Sequence, residues 1–245
     1  MKKSTLANKL QKSVYNKNML KPDIIVKTGI SEIDILTGGL KAGRITFIEG
    51  DSKIIRNIPN QICVNSYRTF QSDTIYIDGG MCADPYNIAQ YARLMEMDQK
   101  ETLRHVRISR AFTVHQMTTV IHEMLEPAIK TYRPQTLVIG RLPTLYHDSD
   151  IETQEAQILL KTNLEKIRKL AESYNLITIF TYCSSSFFSN TRNIREIIYD
   201  YSDEVISLKQ KEKIIHVQLP KTHKESEILL FSKGQLSLQH FGMVT

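Results

Sequence analysis

Residues 50–57, "GDSKIIRN", occupy the place of a phosphate-binding loop, between a predicted buried strand that ends at Gly50 and a predicted helix. In the pattern GxxxxGK[ST], glycines let backbone N–H groups turn toward phosphate, the lysine contacts the terminal phosphates and the hydroxyl holds Mg²⁺. Here Ile55, Arg56 and Asn57 replace the second glycine, the lysine and the hydroxyl. A β-branched residue resists positive φ, and asparagine has no hydroxyl. We therefore expect that this loop does not hold a nucleotide by the usual contacts.

Two further groups that nucleotide hydrolysis requires are also missing from the sequence. A hydrolase of this kind needs a carboxylate for Mg²⁺ after one buried strand and a water-orienting residue after another. The run "TLVIG" ends at Gly140, and the run "TIYID" is followed by Gly79 and Gly80. The sequence thus predicts no catalytic residue, no nucleotide-binding or metal-binding residue and no cofactor, and a pseudo-ATPase rather than an enzyme. An unconventional residual ATPase stays an alternative, because Arg56 near a helix N-terminus still favours an anion.

The elements that must position these residues are those of an α/β fold with a central, mostly parallel sheet flanked by helices. Five apolar runs alternate with helical patterns, which is typical of parallel strands buried on both faces. These runs are "RITFIEG", "TIYIDGG", "HVRIS", "TLVIG" and "LITIFTY". The spacing of apolar residues over 114–132 predicts one helix with Met124 on its buried face. Pro127 is expected to kink or loosen this helix locally. After Tyr201, alternating polarity with turn signals at 209–213 and 233–234 predicts antiparallel hairpins that extend one sheet edge.

Composition and charge bound the remaining possibilities. The chain has 245 residues and a net charge of +6, which permits a nucleic-acid partner and equally fits a lysine-rich surface. Cys63, Cys82 and Cys183 have no metal-ligand spacing, so we expect reduced thiols. No apolar run approaches the roughly 18 residues of a membrane span, so no membrane partner is expected. Residues 1–24 are predicted to form a short basic arm or helix, and 25–245 one core domain; the expected location is cytoplasmic and nucleoid-associated.

Several of these segments, taken in order, resemble the RecA/RadA recombinase superfamily. "TGISEIDILTGGLKAGRITFIEG" resembles its TGxxxLDxLLGGGxxxGxITEIxG opening, and "KTNLEKIRKLAESYNLITIFTYC" resembles its LNxxLRxLxxLAExYNxAVxVTNQ segment. "TIYIDGG", "ISRAFTVHQM" and "TLVIGRLPTLY" stand where that superfamily has YIDTEG, ARAFxxxHQ and LVVVDSLTALF. The chain is similar to a divergent archaeal RadA/RadB-type paralog with degenerate Walker A and Walker B motifs.

This resemblance implies a RecA-like core over residues 25–245 and a part in homologous recombination and DNA repair. It places the family's loop lysine and Ser/Thr on Arg56 and Asn57, its catalytic glutamate on Gly80, its Mg²⁺-linked aspartate on Gly140, and a late glutamine on Cys183. With these groups lost, it favours a non-catalytic accessory or mediator protein that binds DNA, an active RadA-type recombinase or another paralog. The alternative is a RecA-related scaffold or regulatory subunit outside recombination, of the KaiC-like or motility-accessory type.

Two groups of residues are candidates for DNA contact. After "IFTYC", two aromatic side chains can stack on bases and two arginines can hold phosphates, namely Phe187, Phe188, Arg192 and Arg195. The phenylalanines fit a core or partner contact equally well. Lys209, Lys211 and Lys213 form a second basic group, which is also typical of solvated lysines that protect a sheet edge. The expected ligand is single-stranded DNA, bound without sequence preference and with salt sensitivity.

Overall fold

The computed structural model describes residues 24–51, 53–183 and 193–230, and its central element is an eight-stranded sheet. A two-stranded ribbon, β1 (Ile25–Val26) with β2 (Leu40–Lys41), precedes this sheet. The strands of the main sheet are β3 (Arg44–Gly50), β4 (Thr74–Asp78), β5 (Val106–Arg110), β6 (Thr136–Gly140), β7 (Ile177–Cys183), β8 (Glu204–Lys211), β9 (Ile214–Leu219) and β10 (Lys224–Leu229). The predicted turn at 233–234 and the predicted N-terminal arm, apart from Ile24, lie outside the described residues.

The helices lie between the strands, as the alternating pattern predicts. They are α1 (Ser31–Thr37), α2 (Ile58–Phe70), α3 (Pro85–Leu94), α4 (Gln99–Arg104), α5 (Val114–Thr119), α6 (Leu125–Tyr132), α7 (Leu142–Leu145), α8 (Thr153–Ser173) and α9 (Ile194–Tyr201). A 3₁₀ turn, Lys53–Arg56, precedes α2. None of the helices in the described ranges is long and apolar enough to cross a bilayer.

The strand order is β10-β9-β8-β3-β7-β6-β4-β5, and the pairs from β8 to β5 are parallel. The strands β8, β9 and β10 pair antiparallel at the other end of the sheet, so the predicted α/β class with its antiparallel C-terminal strands is confirmed. Helices α5, α6, α8 and α9 cover one face of the sheet, and α1 and α2 cover the other. Because parallel strands end at the same edge, Gly50, Asp78, Gly140 and Cys183 share what we call the carboxyl edge.

Two expectations about individual elements need correction. The "HVRIS" run forms β5, but among the described residues it is the last strand of the sheet, so Ile108 is partly exposed and β5 is not buried on both faces. The 114–132 helix does loosen as predicted, because a π-helical turn, Val120–Met124, joins α5 to α6 just before Pro127. That turn rotates the helix surface, and Met124 is 55% exposed instead of buried.

Candidate functional site

The chain leaves β3 at the carboxyl edge through contacts with β8. Gly50 has φ 144°, and a Cβ at this position would lie 1.8 Å from the carbonyl oxygen of Leu208, so only glycine fits. The Asp51 N–H donates to the same carbonyl at 3.2 Å, and Asp51 Oδ1 accepts from the Gln210 N–H at 2.8 Å. The first part of the remodelled loop is thus bound to the neighbouring strand.

The second part of this loop is a 3₁₀ turn with an apolar side chain directed inward. Ile55 is 1% exposed within the apolar cluster under α2, and Ile54 packs against that cluster. These two residues therefore fill space in the core where a phosphate loop would leave room for a ligand. Arg56 and Asn57 are exposed where α2 begins, and the Asn57 side chain makes no capping hydrogen bond. Pro59 removes one N–H from the first turn of α2, which further weakens this helix end as an anion site.

At the end of β6, a tyrosine occupies the space beside Gly140. A Cβ on Gly140 would lie 2.9 Å from both Cε2 and the hydroxyl oxygen of Tyr76, which is closer than real Cβ contacts allow. Tyr76 is fully buried, and within the described part of the chain its hydroxyl has no hydrogen-bond partner. Burial raises the pKa of the Tyr76 phenol. A carboxylate at position 140 would have to displace this ring.

An arginine occupies the corresponding space beside Gly80. A Cβ on Gly80 would lie 2.6 Å from Cδ and 2.8 Å from Cβ of Arg141. Arg141 Nη1 donates to the Gly80 carbonyl at 3.4 Å, while the Arg141 N–H donates to Thr181 Oγ1 at 3.2 Å. Both positions to which the resemblance assigns a lost carboxylate are therefore bordered by other side chains, one aromatic and one cationic.

Asp78, which the sequence analysis did not single out, holds the loop after β4. Its carboxylate is buried and accepts from the N–H groups of Gly80, Cys82 and Ala83 at 2.9–3.2 Å. Arg110 Nε lies 3.5 Å from Asp78 Oδ2 and supplies a counter-charge. An aspartate at the end of a buried strand, followed directly by two glycines, is the sequence signal for such a loop anchor.

Arg195, a predicted DNA contact, is bound within the protein. Arg195 Nε donates to Glu49 Oε2 at 2.6 Å, and Nη2 donates to the other oxygen of the same carboxylate. The Glu49 side chain is only 5% exposed at the end of β3, whereas Arg195 is 42% exposed. The bond to Glu49 raises the pKa of the Arg195 guanidinium. Phe187, Phe188 and Arg192 lie outside the described residues, and the DNA role of all four stays a prediction.

The three predicted basic residues of β8 and its turn lie at the carboxyl edge. Leu208 pairs with Gly50, and the strand continues past that point with Lys209 and Lys211 exposed. Lys213 is also exposed, in the turn to β9. The topology thus brings these lysines to the same edge as Arg56, although the two groups are about 155 residues apart in sequence. Their contact with DNA stays a prediction.

A groove of about 380 Å³ runs along the outer side of β5. Its floor and wall are mainly apolar and include Ile75, Ile77, Leu125 and Ala128, with Met124 and Tyr132 partly exposed at the rim. Arg107 lines the groove, stacks on the Tyr132 ring at 4.5 Å and donates from Nε to Asp73 Oδ2 at 2.8 Å. Because β5 is an edge strand, it also presents backbone N–H and C=O groups that no neighbouring strand in the described part of the chain satisfies. The sequence does not reveal this groove, since periodicity does not show which strand lies at the edge of the sheet.

A mostly parallel sheet flanked by helices, with antiparallel C-terminal strands at one end, is consistent with a RecA-like fold. The Rad51 family model matches residues 20–191, which is more than half of the 245 residues. The chain therefore belongs to the Rad51 family, and it is a RecA-like, recombinase-related protein.

Proposed function

We propose that this Rad51-family chain acts without ATP hydrolysis, as an accessory or mediator protein in homologous recombination and DNA repair. The observation that carries the proposal is the filling of the former reaction site. Tyr76 and Arg141 border Gly140 and Gly80 so closely that neither a metal-binding nor a catalytic carboxylate has room there. Ile55, meanwhile, is part of the core where a phosphate loop would present backbone N–H groups.

The electrostatics of the edge support the same proposal. Mg²⁺ in nucleotide hydrolases is held by carboxylate and hydroxyl oxygens next to the phosphates. The carboxylate that ends β4, Asp78, is already satisfied by three backbone N–H groups and Arg110. Arg141 adds a positive charge beside it. A divalent cation at this edge would meet guanidinium groups instead of free oxygen ligands.

Steady phosphate release from ATP with Mg²⁺ tests the proposal directly. We expect no release above the buffer rate from the wild-type chain, with or without single-stranded DNA. The residual-ATPase alternative predicts release that needs Mg²⁺ and disappears in Arg56→Ala. That result would sink the non-catalytic proposal.

The β5 groove supports a protein partner of the recombinase type or another paralog. An extended segment of a partner can add to the free edge of β5 through backbone hydrogen bonds and place an apolar side chain in the groove. Met124→Glu changes the rim without touching the core, because Met124 is 55% exposed. We expect this variant to lose recovery of a recombinase in pull-downs, whereas Ile158→Glu, at an apolar side chain of α8 that is 57% exposed, serves as a control outside that groove.

DNA binding is the other half of the proposal, and the lysines at the carboxyl edge support it. We expect labelled single-stranded oligonucleotides to bind with an affinity that falls steeply with salt and does not depend on ATP. Lys209→Ala with Lys211→Ala should reduce the slope of log K against log salt by about one unit for each phosphate that these lysines neutralise. Lys161→Ala, an exposed lysine on α8, is the matched control. Binding that is absent at low salt, together with recovery of partners unrelated to recombination, would favour the scaffold alternative.

A further inference from the structure

Arg141 has a backbone conformation that arginine does not favour. Its φ and ψ are 53° and 37°, in the left-handed region, directly after β6. A non-glycine residue in that region carries backbone strain, and such strain persists where the surroundings require the residue. Arg133 has a similar φ of 47°, so the conformation alone does not single out Arg141, and the side-chain contacts of Arg141 must do so.

The contacts of Arg141 join three strand ends. Its N–H binds Thr181 in β7, its backbone continues β6, and its guanidinium binds the carbonyl of Gly80 after β4. Burial raises the pKa of the nearby Cys82 thiol, and the positive charge of Arg141 opposes part of this effect. In an ATPase of this class, nucleotide and Mg²⁺ lie among these strand ends and order the loops around them.

We propose that Arg141 is a built-in cationic cross-link, which keeps the carboxyl edge in one conformation without nucleotide or metal. The inference rests on the proposed non-catalytic function and deepens it, since it names what replaces the ligand at the same site. Asp78 accepts hydrogen bonds from three N–H groups of the loop after β4. Arg141, at the end of β6, donates to the Gly80 carbonyl of the same loop. The carboxyl edge then presents the same conformation to a partner at any ATP concentration.

Arg141→Gly isolates the side chain, because glycine accepts φ 53° without strain. Arg133→Gly is the matched control: Arg133 is an exposed arginine at φ 47°, just after α6 and away from this edge. The measurement is hydrogen exchange of the amides of residues 79–84, with and without ATP and Mg²⁺. For wild type and Arg133→Gly we expect slow exchange that the ligands do not change. For Arg141→Gly we expect exchange at least about tenfold faster, reversed by added millimolar guanidinium ion, which fits the vacated space.

A second variant keeps the proposal testable if Arg141→Gly fails to fold. Gly80→Ala keeps the arginine at position 141 but puts a Cβ 2.6–2.8 Å from its side-chain atoms, so it should displace the guanidinium and speed the same amides. The inference is overturned if both variants exchange like Arg133→Gly, or if ATP with Mg²⁺ slows exchange at 79–84 in wild type. These outcomes are separate from phosphate release, which alone decides the proposed absence of hydrolysis.

Discussion

Restoring a side chain at Gly140 should be costly, because the space it needs is already filled by a rigid ring. The Cβ of Gly140→Ala would lie 2.9 Å from two atoms of Tyr76, and Tyr76 is fully buried. Overpacking of this kind costs typically about 1–3 kcal/mol, so we expect about 2 kcal/mol for alanine. Gly140→Asp also places a carboxylate against a buried ring, which brings the expected loss to about 4 kcal/mol.

Urea unfolding followed by circular dichroism measures these losses. With an m-value of about 3 kcal/mol/M, the alanine variant should unfold at a urea concentration ~0.7 M lower than wild type, with an unchanged m-value. Tyr76→Leu keeps an apolar side chain but removes the ring atoms that the new Cβ would meet. The double variant should therefore be more stable than the sum of the two single losses predicts, by about 1–2 kcal/mol.

Tyr76→Leu combined with Leu164→Ala is the control for this coupling. Leu164 is a residue of α8 that is fully buried against the opposite face of the sheet, and its loss should add to that of Tyr76. A cost below about 0.5 kcal/mol for Gly140→Ala, or additive losses for the Tyr76 and Gly140 pair, would refute the reasoning that the ring excludes a side chain there.

Three further predictions follow from individual contacts. Neutralising the Glu49–Arg195 pair with Glu49→Gln and Arg195→Met keeps the net charge, so the salt slope of DNA binding should not change; a slope lower by about one unit would instead make Arg195 a phosphate contact. Cys63 is fully buried and its thiol pKa is raised to about 12, so it should react with a thiol reagent only after unfolding, well after the half-buried Cys82; equal rates would contradict the packing of α2. Hydrogen bonds from two lysines lower the pKa of Glu126 from 4.5 to about 2. A lowered carboxylate pKa stabilises the fold above pH 4.5 and loses this effect toward pH 2, so the stability advantage of wild type over Glu126→Gln should shrink across that interval; a constant difference would refute the pairing.

The strand framework could be predicted because it depends on local pattern, and the site geometry could not because it depends on contacts between strands. Each predicted run from β3 to β7 forms a strand, and the fold class follows from their alternation with helices. The sequence also showed glycines at positions 80 and 140, where the resemblance expects carboxylates. The side chain that fills the space beside Gly140 could not be predicted in this way. Tyr76 lies in the middle of β4, and only the pairing of β4 with β6 brings its ring next to Gly140.

The exposure of residues at the β5 edge of the sheet could not be predicted from the sequence for a similar reason. The run that forms β5 has the composition of a central strand, and nothing local states that no further strand pairs beyond it in the described part of the chain. The exposure of Met124 depends on the π-helical turn before Pro127, which shifts the helical period by one residue. Both misjudged features lie along the groove that we propose as a partner surface, where exposed apolar groups conflict with a simple core-and-surface pattern.

A filled site is harder to reverse than an empty one, and this asymmetry argues for a stable non-catalytic role. If Gly80 and Gly140 faced open space, two substitutions would restore two carboxylates. In this chain each carboxylate also requires a neighbour to change, Arg141 in one case and Tyr76 in the other. From these close contacts we expect each single step on that path to destabilise the fold. What selection can maintain at this edge is therefore its shape and its positive charge, which are the properties that a partner or a DNA backbone would contact.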